Sequence, residues 1–143
     1  MRLLLLTALL ALPAAAWADS QIQFLSPSGN IFCLGDYQTA YDSWERVACE
    51  IRDYQENIQP PQKRPSENEC PLDWGGSFSL EPTGRAVVDC RGDTNRTTNA
   101  PMLAYGKTVY GKGWQCTSRQ DGVLCQNRSG HGFHLSRIRQ QLF

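Results

Sequence analysis

The chain is 143 residues long, with 14 basic and 14 acidic side chains and a formal net charge of zero. So even a balance supplies no basic stripe for a phosphate backbone and no polybasic helix for an anionic lipid surface, which argues against nucleic acid and against stable membrane insertion. The length suits one domain with a modest core.

Residues 1–18, MRLLLLTALLALPAAAWA, join a basic start at Arg2 to an apolar run, Pro13 and small residues at Ala16 and Ala18. That pattern predicts a cleavable secretory signal. A spanning helix needs roughly 20 apolar residues, whereas Pro13 interrupts this run and Asp19 ends it. No cysteine follows the small residues, so a lipid anchor is not expected either. The expected product is a single exported domain over 19–143, periplasmic or extracellular.

Beyond the signal the hydrophobic period is that of strands, with no 3.6-residue stripe. IQFL (22–25) runs into a turn at SPSGN, where Pro27 and Gly29 satisfy turn chemistry, and NIFCL (30–34) returns. RVACEIR (46–52) sets Val47, Cys49 and Ile51 on one face and Ala48, Glu50 and Arg52 on the other, the pattern of a half-buried strand. The proline-rich segment 57–71 predicts an extended surface connection, since proline lacks the ladder donor. GSFSL (76–80) and RAVVDC (85–90) form a hairpin about Pro82 and Gly84, followed by a polar loop over 91–101. KTVY (107–110), WQCTS (114–118), GVLCQN (122–127) and FHLS (133–136) continue the series, and RIRQQLF is either a short helical turn or a strand end. The expected fold is all-β, a small disulfide-stapled barrel or sandwich of about eight antiparallel strands.

Six cysteines, Cys33, Cys49, Cys70, Cys90, Cys116 and Cys125, predict three disulfides in an exported chain. All but Cys70 follow an apolar residue two places earlier, so their sulfurs point into the core beside it. Ile31-x-Cys33 followed by Val47-x-Cys49-Glu50 has the same form as Trp114-x-Cys116 followed by Val123-x-Cys125-Gln126, which suggests two hairpins of one design, each stapled across its strands. The expected pairs are Cys33 with Cys49, Cys116 with Cys125 and, by elimination, Cys70 with Cys90. Each such loop is worth roughly 3 kcal/mol in the chain-entropy model.

SGHGFHLSR (129–137) holds both histidines, His131 and His134, beside Ser129, Ser136 and Arg137. Three residues apart on a strand, the imidazoles face opposite sides. Zinc takes three or four ligands, and with the cysteines oxidised neither a metal nor a cofactor is expected. There is no Gly-x-Ser-x-Gly elbow and no free thiol, though Ser136, His131 and Asp93 could still meet as a triad, which geometry alone defines. The simpler account is a glycine-flanked turn with Phe133 and Leu135 facing the core. Arg91-Gly92-Asp93 falls where a strand gives way to a turn, and Asn95 and Asn127 head glycosylation acceptors whose use depends on the host. Asp73-Trp74-Gly75-Gly76 could present an aromatic platform, although a core tryptophan is the commoner fate.

FLSPSGNIFC (24–33), VACEI (47–51), CPLDWG (70–75), CRGDT (90–94), LAYG (103–106) and GVLCQNRSGHGFHLSR (122–137) together resemble a family of small secreted bacterial proteins of unassigned function, known mainly from actinobacteria. The similarity covers nearly all of 19–143, and its most specific motifs are SPSGNIxC and GHGFxLSR. Ala104 stands where that family typically has proline. The resemblance implies an exported, disulfide-bonded domain and brings no catalytic residues.

The function expected from the sequence is a non-enzymatic binding or interaction module of the envelope, its partner an exported protein or small ligand. His131, Trp74, Asp93, Tyr105 and Arg137 are the residues offered to it. Two alternatives stand beside this: a periplasmic inhibitor of a lytic enzyme, comparable in size to the small β-barrel lysozyme inhibitors, and a hydrolase using His131 or His134.

Overall fold

A computed structural model describes residues 20–143; the expected signal at 1–18 lies outside the described residues. The strands are β1 (Ser20–Leu25), β2 (Ile31–Gln38), β3 (Ser43–Ile51), β4 (Ile58–Gln59), β5 (Asp73–Leu80), β6 (Val87–Arg91), β7 (Thr108–Tyr110), β8 (Trp114–Arg119), β9 (Gly122–Asn127), β10 (Gly132–Leu135) and β11 (Gln140–Leu142). They form two sheets, β1-β2-β3-β5-β6 and β4-β11-β10-β9-β8-β7. Neither sheet closes on itself, so the domain is an open sandwich and not a barrel. Among the described residues no helix is long and apolar enough to cross a membrane.

Alternation along the strands builds the core. In β9, Val123 and Cys125 are fully buried while Gly122, Leu124 and Gln126 are only half covered. Phe133 and Leu135 of β10 face them from the next strand, and Phe78 of β5 meets Phe133 across the two sheets with ring centroids 6.2 Å apart. The two Val-x-Cys hairpins hold the middle of this core. Cys33 lies directly opposite Cys49 and Cys116 directly opposite Cys125, both pairs are disulfides with Cα atoms 4.1 Å apart, and Cys70–Cys90 is the third. Cys49 Sγ and Cys125 Sγ are 4.0 Å apart, so the staple of one sheet packs on the staple of the other.

Trp114 locks the sheets together near their other end. Its indole lies against Gly35 and Gly111, where an added Cβ would come within 2.2 Å and 2.0 Å of the ring. Its Nε1–H donates to Asp36 Oδ1 at 2.7 Å, and the Lys112 N–H donates to Asp36 Oδ2 at 2.5 Å. Asp36 reaches both because it occupies the left-handed region, φ 44°, at a bulge in β2, a conformation that Asp tolerates better than most residues. Gly35→Ala should therefore destabilise the domain by about 1–3 kcal/mol through overpacking, read from the shift in urea midpoint. An unchanged midpoint would mean that the ring moves aside freely.

Two local expectations need correction, at Ile58–Gln59 and at Glu50, and two open alternatives are decided, for RIRQQLF and for Trp74. Within the proline-rich connection, Ile58–Gln59 forms a short parallel strand against β11, because Ile58 is buried there. RIRQQLF supplies β11 and has no helical turn. Glu50, expected on an open face, is 9% exposed because the loop after β6 folds over it. β5 begins at Asp73, which places Trp74 in the core beside Cys90 and makes it no platform.

Candidate functional site

The residues singled out from sequence separate into three places. His131 sits on the β9–β10 turn, where its N–H donates to Asn127 Oδ1 at 3.1 Å and its carbonyl accepts the Asn127 N–H at 2.9 Å. Asn127 is itself buried, and its amide donates to the carbonyls of Glu81 and Gly84 at 3.0 and 2.7 Å. Both amide hydrogens are thereby used, which leaves Asn127 no freedom to accept a glycan in the folded chain. Ser136 lies beyond the far end of β10, about 16 Å of extended chain from His131, while Asp93 lines a different cleft. Ser136, His131 and Asp93 do not converge.

Trp74 and Asp93 border that cleft, of about 560 Å³, against the outer face of β3 and β5. Much of its charge is taken up within the fold. Glu50 accepts from Arg91 Nη1, from Thr94 Oγ1 at 2.5 Å and from the Asn95 N–H at 3.0 Å, so the arginine of Arg91-Gly92-Asp93 is committed to the fold. Arg96 donates to the carbonyls of Gly29 and Asn30, each at 2.6 Å, tying the same loop to the β1–β2 turn. Tyr54 packs on Gly76, and its phenol pKa is raised, first by burial and then by Glu56 and Asp73, against the opposing pull of Arg64.

Tyr105, His134 and Arg137 meet in a third place, a groove of about 740 Å³ at one end of the sandwich. Three turns build it, β1–β2, β8–β9 and β10–β11, with Arg52 and Asp53 from just after β3. Its electrostatics follow from four arginines, Arg52, Arg119, Arg137 and Arg139, set against two carboxylates. Arg52 pairs with Asp53 at 3.1 Å and Arg119 with Asp121 at 2.9 Å. Arg137 and Arg139 have no ion-pair partner among the described residues.

The backbone that carries these two cations is fixed. Gln140 is fully buried and donates to the Ser136 carbonyl at 3.0 Å, while its Oε1 accepts the Asn57 N–H at 2.9 Å. The carbonyls of Arg137 and Ile138 accept from the Gln55 N–H at 2.8 Å and from Asn57 Nδ2 at 3.0 Å. Ser136 Oγ donates to the Arg139 carbonyl at 3.0 Å and accepts the Arg139 N–H at 3.2 Å, which closes the turn and spends the hydroxyl. The guanidiniums thus project from a pinned turn with exposed Ile138 between them. A planar fork of this kind is matched to carboxylate and phosphate oxygens.

His134 Nε2 lies 3.3 Å from Asp121 Oδ1, close enough for attraction but not aligned as a hydrogen bond. At Asp121 partial desolvation pushes the carboxyl pKa up, but His134 and Arg119 together outweigh it and hold the pKa below its ordinary 3.8. A lowered folded pKa stabilises the fold above the ordinary value, and that contribution is lost as pH falls through the lowered one. Arg119→Ala should move the Asp121 carboxyl titration upward in a carbon-detected NMR experiment. An unmoved titration would remove Arg119 from the cluster.

The groove contains no activated nucleophile. Among the described residues no cysteine is free, and the close group of Cys33, Cys49 and Cys125 consists of disulfide sulfurs with no thiolate for a metal. Arg52, Arg119, Asp121, Ile138 and Arg139 were not singled out from sequence. The one local signal is Arg137-Ile138-Arg139 between two polar-flanked strands, since a charged x-apolar-charged triplet in a tight turn presents both charges outward.

The model of a family described only as a family of unknown function matches residues 4–143. No curated protein and no solved structure matches the chain.

Proposed function

The chain belongs to that family, DUF6636, and because membership carries no function we propose from the chain's own chemistry that it is an exported, non-enzymatic binding domain of the bacterial cell envelope. Its contact site is the arginine-rimmed groove, and the group it holds is an oxyanion, carboxylate or phosphate, borne by an envelope partner. The carrying observation is that Arg137 and Arg139 are presented without ion-pair partners among the described residues, from a turn fixed by Gln140, Asn57 and Gln55. Two exposed cations held on a fixed turn meet an arriving anion with little ordering left to do, which is where preorganisation and charge complementarity contribute to binding.

Export is supported by three disulfides, which persist in oxidising compartments. Binding over hydrolysis is supported by the groove's three serine hydroxyls, Ser26, Ser28 and Ser136, which are engaged in local turn hydrogen bonds and not with its one histidine, His134. Backbone amide NMR with pyrophosphate and with a hexaglutamate peptide tests the assignment. Amides of 119–122 and 136–141 should shift with at least one probe, and the affinity should fall steeply with salt. Shifts confined to the cleft at Trp74, or none with either probe, would overturn it.

A further inference from the structure

The opposite end of the sandwich carries a second groove whose chemistry is unlike the first. Tyr37 of β2 and Trp44 of β3 are cross-strand neighbours, stacked with centroids 5.7 Å apart and planes 20° apart. Arg46 lies over the Trp44 ring, 4.8 Å from its centroid. Across a space of about 960 Å³ stands Tyr110, on the edge strand β7 of the other sheet. Tyr110 is 69% exposed, so most of its ring is open to a ligand.

Every charge lining this groove is already used. Asp36 accepts from the Lys112 N–H and the Trp114 indole, Glu45 pairs with the Lys112 ammonium at 3.2 Å, and Glu81 pairs with Arg46 at 3.8 Å. What remains for a ligand is aromatic surface and the neutral hydrogen-bonding groups of Gln21, Gln38 and Ser43. An ion would find no unmatched partner here. A purely apolar ligand would strand the amides, because buried polar groups left unpaired are penalised.

We infer that this groove is a binding site for a neutral glycan. A pyranose ring has an apolar C–H face that stacks on an aromatic ring and a rim of hydroxyls that exchange hydrogen bonds with amides, which is the combination Tyr110, Tyr37, Gln38 and Gln21 offer. The site is independent of the arginine groove and lies at the other end of the strands, so one domain can hold a glycan and an anionic group at once.

The test titrates the folded domain with cellohexaose, maltohexaose and N-acetylchitohexaose, following tryptophan emission, to which Trp44 reports, and amide shifts. At least one should bind with millimolar or better affinity, shifting amides of 37–44 and 108–112. Tyr110→Ala should weaken it about tenfold, the magnitude of one aromatic contact, with an unchanged circular dichroism spectrum. Gln38→Ala should weaken it further without unfolding. No response to any of the three at about 10 mM, beyond which affinity is too weak to be specific, would overturn the assignment. So would equal binding by the Tyr110→Ala variant, or tighter binding of polygalacturonate through the same residues.

Discussion

Replacing Cys116 and Cys125 together by alanine should cost the domain more than the roughly 3 kcal/mol of a short disulfide loop, and more than removing Cys70 and Cys90. The two loops span 9 and 20 residues, so chain entropy alone ranks them the other way. Position reverses the order. Cys116 and Cys125 are fully buried, and Cys125 Sγ rests on Cys49 Sγ, whereas Cys90, expected to turn its sulfur into the core, is exposed at the sheet edge and Cys70, the expected exception, is the buried partner. Removing the central staple opens a void between the sheets, for which about 1 kcal/mol per lost methyl-sized volume is added. Against a typical total of about 5–15 kcal/mol, that is enough to bring the domain close to unfolding. Urea midpoints of the two double variants, with the remaining disulfides intact, measure it. Equal midpoints would show that the stacked sulfurs add nothing to loop closure.

Reversing the charge of both arginines, Arg137→Glu with Arg139→Glu, should reduce affinity for whichever of pyrophosphate and hexaglutamate the groove binds at least about 100-fold. Each charge-assisted contact contributes about 1.5–3 kcal/mol, and about 1.4 kcal/mol is tenfold. Both side chains are exposed and make no ion pair, so the urea midpoint should stay within about 0.5 kcal/mol of the parent, as for surface changes generally. Arg52→Ala should do less, because Asp53 already neutralises that guanidinium. Calorimetric titration of parent and variants separates these cases. A double reversal that binds as tightly as the parent would remove the turn from the interface.

The sandwich was legible because its main strands obey a period of two and its cysteines sit at fixed positions within it. Val47-x-Cys49 and Val123-x-Cys125 give both the inward face and the disulfide partner, since opposed residues on antiparallel strands are the ones within reach. β4 escaped, and β11 was legible only as one of two alternatives, because strands of two and three residues are too short to show a period. Glu50 illustrates a different limit. Its alternation correctly places it on the outer face, and only the return of the loop at Arg91 and Thr94, more than forty residues on, covers it.

The candidate groove was legible only in part, for a related reason. It is assembled from turns near residues 27, 53, 120 and 138, and no local pattern relates turns that far apart. Strand parity sets His131 and His134 on opposite faces only if both lie in the strand, and β10 begins at Gly132, after His131. Parity does not say which of the two faces has a cavity beyond it, and the glycine-flanked bend made His131 the more inviting. In the fold that bend is held by Asn127 at one end of β10, while His134, Arg137 and Tyr105 gather at the other.

Placing a photocrosslinking residue at position 138, between the two arginines, tests the binding role most directly. The full chain carrying it in place of Ile138 should, on irradiation in cells of its native host, form one dominant adduct that disappears when Arg137 and Arg139 are reversed. The same residue in place of His131 should form none. Adducts at 131 but not 138, or an adduct at 138 indifferent to the arginines, would contradict the assignment of this groove as the site through which the protein acts.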